Sequence, residues 1–279
     1  MTKVWLITGS SRGFGRELAQ AVLASGDNLV ASARRPEQLD DLVREHGKQV
    51  RTVALDVTDP AAARGAVQTA VDEFGSLDVV VNNAGYANSA PIEEMTDEDF
   101  RAQIETNLFG VVNVTKAALP VLHRQRSGHF LQFSSIGGRV GGSPGLGAYQ
   151  TAKFGVEGFS EVLNAEVQPL GIKVTIIEPG GFRTDWGGSS MSSPPVGPDY
   201  EETVGKMNSF RESTVDTWQG DPARAAKILL GIVDLAEPPL RLLLGAGAVE
   251  SAARSSQARA AEAAQWADLS RSADFPAGE

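Results

Sequence analysis

The sequence predicts an α/β fold: a doubly wound parallel sheet of about seven strands with helices on both faces. Three observations carry this. Seven short apolar runs, at 3–7, 29–33, 50–55, 77–81, 129–133, 173–177 and 240–244, are too short for helices and read as buried strands. Segments of helical period separate them, at 13–25, 36–45, 60–74, 97–125, 148–167 and 221–236. Strands alternating with helices of this length make βαβ units, whose right-handed crossovers cover both faces of a parallel sheet. Lastly, the first run ends in a glycine-rich turn that opens directly into a helix. In such a sheet the ligand lies at the C-terminal strand ends.

Local signals fix several element ends. Asp59-Pro60 starts the third helical segment, with Asp59 placed as its cap, and Thr96 with Asp99 gives the fourth a capped start. No linker rich in Pro, Gly or Ser interrupts the chain before about residue 187, so its 279 residues are expected to form one domain, 1–279. Zero cysteines exclude disulfides, thiol catalysis and Cys-ligated metal. Three scattered histidines, His46, His123 and His129, read as surface or strand-edge residues, and no metal site is expected. The net charge of −10 argues against nucleic acid and anionic membrane surfaces as partners. No apolar run approaches the ~20 residues that span a bilayer, and the first residues lack a signal-peptide pattern. A soluble cytoplasmic protein is the expectation.

The turn itself reads Thr8-Gly9-Ser10-Ser11-Arg12-Gly13-Phe14-Gly15. Glycines let the backbone approach a pyrophosphate, and the helix N-terminus adds N–H groups and a positive dipole end. Standing between a strand and a helix, the turn is better read as a nucleotide cradle than as a flexible connection. Far along the chain, Tyr149 and Lys153 stand four apart on a helical segment and share one face. Free tyrosine, with a pKa of about 10, is a poor proton carrier at neutral pH. A cation beside it favours the phenolate, and a tyrosine tuned this way passes protons to or from a reacting oxygen.

Thr8 to Gly15, Asn82-Asn83-Ala84-Gly85, Asn107, Ser134-Ser135 and Tyr149-x-x-x-Lys153 together resemble the compact, single-domain branch of the short-chain dehydrogenase/reductase family. The resemblance runs over about 3–181 and implies a Rossmann-type sheet and hydride transfer between a nicotinamide and a carbonyl or secondary alcohol. It implies Tyr149 as acid/base, Lys153 as the partner that lowers its pKa and binds the nicotinamide ribose, and Ser135 as the hydroxyl polarising the carbonyl. Asn107 then sits at a helix kink and supports a water on the proton path. For the cofactor it implies contacts from Gly9, Ser11, Arg12, Gly13, Phe14 and Gly15 in the first turn. Asp56 would bind the adenine amino group with Val57 beside it. Asn83, Ala84 and Gly85 would flank the cofactor, and Pro179, Gly180 and Thr184 would meet its nicotinamide end. Homodimers or homotetramers are implied as well. One departure stands out: Ser135 and Tyr149 are 14 apart, one more than the family's usual spacing, and the extra residue is assigned to Gly141-Gly142-Ser143-Pro144.

Cofactor choice can be read from the second strand. An NAD site carries an acid at that strand's end, about 20 residues past the glycine turn. Here the chain reads Ala31-Ser32-Ala33-Arg34-Arg35-Pro36, without a carboxylate. Arg34 and Arg35, joined by Arg12, suit a 2′-phosphate. NADP(H) is therefore expected, with NAD(H) the alternative.

Past the sixth strand, 185–219 breaks the alternating pattern and reads as a long irregular loop covering a small-molecule carbonyl or alcohol substrate. Its Trp186, Met191, Tyr200, Met207, Phe210 and Trp218 either line an apolar pocket or anchor the loop to the core. The tail 248–279 reads as a helix followed by loose ends. Two other functions remain open from sequence: a dinucleotide-binding regulator without turnover, and an epimerase or dehydratase using the same Tyr-Lys pair.

Overall fold

In the computed structural model, residues 2–184 and 191–275 are described. The chain runs β1 (Val4–Ile7), α1 (Gly13–Ala24), β2 (Asn28–Ala33), α2 (Asp40–His46), β3 (Val50–Ala54), α3 (Pro60–Phe74) and β4 (Val79–Asn82). It continues through β5 (Ala87–Asn88), α4 (Asp97–Ile104), α5 (Gly110–Gln125), β6 (Gly128–Phe133), α6 (Ile136–Val140), α7 (Gly147–Val167) and β7 (Ile172–Pro179). The last third holds β8 (Met191–Ser192), α8 (Lys206–Thr214), α9 (Pro222–Asp234), β9 (Arg241–Leu244), α10 (Ala246–Gln265) and α11 (Ala267–Arg271).

Seven strands form one parallel sheet in the order β3-β2-β1-β4-β6-β7-β9, as the apolar runs predict. Side chains alternate across it. Val4 and Leu6 join a core with α3, α5 and α7, while Trp5 and Ile7 join one with α1 and α9. Both faces are thus buried, which is why the strands read as continuous apolar runs rather than alternating ones. The order reverses beside β1: β2 and β3 lie on one side, β4 and the later strands on the other. That reversal opens a crevice at the carboxyl ends of the strands.

The expected caps form. Asp59 accepts from Ala61 N at 2.7 Å with Pro60 in the first turn of α3, and Thr96 Oγ1 accepts from Asp99 N at 3.1 Å. Asp221, ahead of Pro222, caps α9 through Ala223 N at 2.9 Å.

Three expectations need correcting. His129 is neither superficial nor at a sheet edge: it is 3% exposed on a central strand, its Nε2 is 2.9 Å from Thr175 Oγ1, and burial holds its pKa down at about 4. The segment 185–219 is not an irregular loop where it is described, since β8 pairs with β5 and α8 follows. The long helix predicted over 97–125 is two helices joined by a π-helical turn, Glu105–Phe109. Among the described residues no helix is long and apolar enough to cross a membrane.

Candidate active site

A cavity of about 900 Å³ occupies the crevice, running from the end of β2 past β1 and β4 to α7 and α8. The glycine turn forms its floor. Gly13 has φ +55°, a backbone shape that favours glycine, and it lets α1 begin immediately after the extended Arg12. Arg12 makes no side-chain cap, so the first N–H groups of α1 are left for a ligand in the cavity. Gly15 serves differently. It does not line the cavity; a Cβ there would lie 2.2 Å from Gly9 O, so it lets the helix pack on the turn. Asn83 fastens the turn from the other side, its Nδ2 donating to Thr8 O (3.0 Å) and Gly9 O (3.2 Å).

At one end of the cavity Arg34 and Arg35 follow β2. Both are exposed, and neither side chain makes a hydrogen bond or salt bridge among the described residues. Asp56 is there too. It accepts from Thr58 N (3.0 Å) and Thr58 Oγ1 (2.7 Å), which hold its carboxyl below the usual range with help from Arg34. Asp59, not Asp56, is the helix cap, so Asp56 keeps lone pairs for a ligand. Val57, Ala84, Gly85, Ser11, Phe14, Pro179, Gly180 and Thr184 also face the cavity.

The four expected catalytic side chains converge at the other end. Tyr149 and Lys153 lie one turn apart on α7, with Lys153 Nζ 5.7 Å from the Tyr149 ring centre. Ser135, the N-cap of α6, accepts from Gly137 N at 3.1 Å and hydrogen-bonds Tyr149. The extra residue between Ser135 and Tyr149 therefore leaves their contact intact. Asn107 lies in the π-helical turn and is fully buried, not solvent-facing. Its Nδ2 donates to Tyr86 O and Gln103 O, both at 2.9 Å, and its Oδ1 accepts from Tyr86 N at 3.1 Å. These bonds lock it against the turn after β4. A Cβ on Gly85 would strike Asn107 Oδ1 at 2.5 Å, so glycine is required for that contact.

Electrostatics depart from expectation. The Tyr149 phenol does not lie below its ordinary value. Burial pushes Tyr149 up to about 12, against the Ser135 hydrogen bond. Lys153 donates instead to Phe133 O at 2.8 Å. Burial lowers its own pKa to about 8, with Glu157 on the next turn pulling the other way. Behind it lies a buried ionic cluster that sequence reading missed. Arg241 Nε donates to Glu157 Oε2 at 3.0 Å and stands 3.4 Å from Glu178 Oε1, while Arg139 Nη1 reaches the same Glu178 oxygen at 3.2 Å. These partners lie 39 to 84 residues apart, beyond any local pattern.

The substrate cover was also read only in part. Trp218 lines the cavity, and Met191 packs on the Ala87, Leu146 and Tyr149 cluster. Tyr200 turns outward to Glu93, Phe210 is 61% exposed, and Met207 is half-buried away from the cavity. Trp186 lies outside the described residues. Arg211 and Gln150, which were not singled out, both line the wall.

The family model for "short chain dehydrogenase" matches residues 3–194. The chain belongs to the short-chain dehydrogenase family. It is an oxidoreductase of that family, and its relatives extend beyond the matched region. An oxidoreductase of Botryotinia fuckeliana is 51% identical over 271 residues, covering 97% of this chain and 98% of that one. A short-chain dehydrogenase from Streptomyces avermitilis superposes with a TM-score of 0.92 at 38% identity, over 99% of this chain and all of that one. An alcohol dehydrogenase from Thermococcus sibiricus, solved with 5-hydroxy-NADP, superposes with a TM-score of 0.71 at 27% identity, over 88% of this chain and 96% of that one.

Proposed function

We propose that this short-chain dehydrogenase is an NADP(H)-dependent oxidoreductase for a carbonyl or secondary alcohol substrate. The observation that carries this is the convergence of Ser135, Tyr149, Lys153 and Asn107 on the cavity that the glycine turn and Arg34 and Arg35 also face. The bound dinucleotide supplies the hydride. The α1 N-terminus and the close-packed glycine turn fit its pyrophosphate, and Asp56 its adenine amino group. Ser135 donates to the carbonyl oxygen as charge gathers there. Tyr149, a neutral phenol at ordinary pH, gives that oxygen its proton. The Lys153 cation one turn away stabilises the phenolate left behind, and Asn107 would support the water through which the proton is replaced. The chain works as one domain, with 191–219 over the substrate end. Apolar surface at Phe109, Phe154 and Val162 supports a homo-oligomer. The test is NADPH consumption with a panel of ketones and aldehydes; no consumption of any would overturn the reading.

The lysine makes the reaction sensitive to pH. Lys153 is a cation below about 8 and neutral above it. Reductive kcat/KM is expected to fall as pH rises through that value, long before the phenol titrates. A profile flat to about pH 10 would remove the Lys153 charge from the mechanism.

Cofactor choice follows from β2. A 2′-phosphate meets Arg34 and Arg35, whose donors are uncommitted among the described residues. NADPH is expected to be preferred over NADH by at least ~10-fold in kcat/KM. The double variant Ala33→Asp, Arg34→Ser is expected to erode or reverse that preference. Equal kcat/KM for both cofactors in the unaltered enzyme would sink the NADP assignment and spare the reductase reading.

A further inference from the structure

Arg211 on α8 is a cation at the substrate end for which the dinucleotide has no use. The cavity lining carries four arginines, one lysine and a single aspartate, in a chain of net charge −10. Arg12, Arg34 and Arg35 face the phosphates' end, and Lys153 belongs to the Tyr149 pair. Arg211 lies apart from these. It holds Pro144 O through Nη2 at 2.8 Å, and through Nη1 reaches Asn208 Oδ1 at 3.1 Å and Ser89 Oγ at 3.3 Å. Pro144 belongs to the loop that precedes Leu146 and Tyr149, and so to the substrate side of the proton donor.

All three acceptors are neutral. No carboxylate pairs with Arg211 among the described residues, and burial alone lowers its pKa. A half-buried guanidinium is ordinarily matched by an anion, because removing an unpaired charge from water is expensive. It also has five N–H donors. The three bonds leave Nε–H and one Nη2–H unused, two donors suited to a forked anion.

Gln150 adds an independent sign. It is 9% exposed, and its Oε1 accepts from Ser143 N at 3.3 Å. That bond fixes which end of the amide is oxygen. The other end, Nε2, is buried with no hydrogen-bond partner. It sits beside the carbonyl-polarising serine: a Cβ built on Gly137 would be 3.3 Å from Gln150 Nε2 and 3.5 Å from Ser135 Oγ. A buried donor without an acceptor is costly unless a ligand supplies one. Both residues clasp the same loop, Gln150 through Ser143 and Arg211 through Pro144, so their spacing is held by backbone rather than by chance rotamers.

We propose that the substrate is an oxo acid: a carbonyl compound whose carboxylate is received by Arg211, with Gln150 Nε2 donating to an oxygen near the reacting carbonyl. Leu146, Phe182 and Trp218 supply an apolar wall for the carbon chain between the two groups. The assignment rests on the reductase reading above.

The test compares acetoacetate and levulinate with their methyl esters, and with aminoacetone as a cationic ketone, using NADPH. The unaltered enzyme is expected to favour at least one acid over its ester by at least ~10-fold in kcat/KM, the scale of one charge-assisted hydrogen bond. Aminoacetone is expected to be the poorest. Arg211→Gln should lower kcat/KM for that acid at least ~10-fold more than for its ester, and Arg211→Lys should recover part of the difference. A second readout is thermal: the acid should raise the melting temperature of the NADP-loaded enzyme, but not of loaded Arg211→Gln. Esters reduced as well as or better than acids would overturn the oxo-acid class while leaving the reductase standing. Equal loss for acids and esters in Arg211→Gln would make Arg211 a structural clamp only, and would overturn it too. Failure to consume any ketone, acid or ester would sink the reductase reading and this inference together.

Discussion

Replacing Tyr149 with phenylalanine is expected to lower kcat by at least ~10²-fold, the usual loss when a general acid is removed. NADPH binding should hardly change. The ring is 7% exposed and packs on Ala87 and Leu146, contacts that phenylalanine keeps. Ser135 would lose one partner but retain Gly137 N, and Lys153 would retain Phe133 O. Only the proton would be missing. Steady-state rates with NADPH, alongside cofactor binding followed by fluorescence, check this. A variant keeping more than half of its activity would rule out proton transfer by Tyr149.

Arg241→Ala is expected to destabilise the fold by about 3 kcal/mol, toward the low end for breaking a buried ion pair because Arg241 keeps some solvent contact. Its loss removes a cation from Glu157 and from Glu178, which is wholly buried, and leaves Arg139 alone to meet Glu178. Burial already raises Glu157 above its ordinary 4.5, Glu178 adds to this, and Ser134 and Arg241 oppose it. With the folded pKa above the unfolded one, Glu157 favours the folded state most at low pH. That advantage fades as pH climbs past 4.5. Removing Arg241 pushes the folded value higher still, so the deficit of the variant should widen with pH. Urea unfolding at about pH 5 and about pH 8 measures it. A deficit equal at both would show that lost packing, not an unpaired carboxylate, is responsible.

Legibility in the sequence tracked the range of the interactions involved. Strands such as 129–133 show as apolar runs because both sheet faces are covered. Asp59, Thr96 and the glycine turn show because their partners are at most a few residues away. Tyr149 and Lys153 show because one helical turn brings them together. The kink at Asn107 was expected from the family resemblance, but its bonds to Tyr86 depend on a turn 21 residues earlier. The direction of the Tyr149 shift was misread because burial is a property of the whole packed site, which no neighbouring residue announces. Helix α8, Lys206–Thr214, was missed because it is short and mostly polar, with only Asn208 fully buried, and gives little apolar periodicity to read. Gln150 was in plain view between Tyr149 and Lys153, yet only the fold reveals that half of its amide is unmatched.

The position of Arg211 has a consequence for how such a chain diversifies. The matched family region ends at residue 194, and the proton-handling residues and the glycine turn all precede that point. Arg211 stands after it, on a helix that contributes no strand to the main sheet. If Arg211 receives the substrate as proposed, a mutation in α8 would alter which molecules are admitted while the inherited chemistry stays untouched. Lineages descended from one ancestor could exchange diets by rewriting a single surface helix.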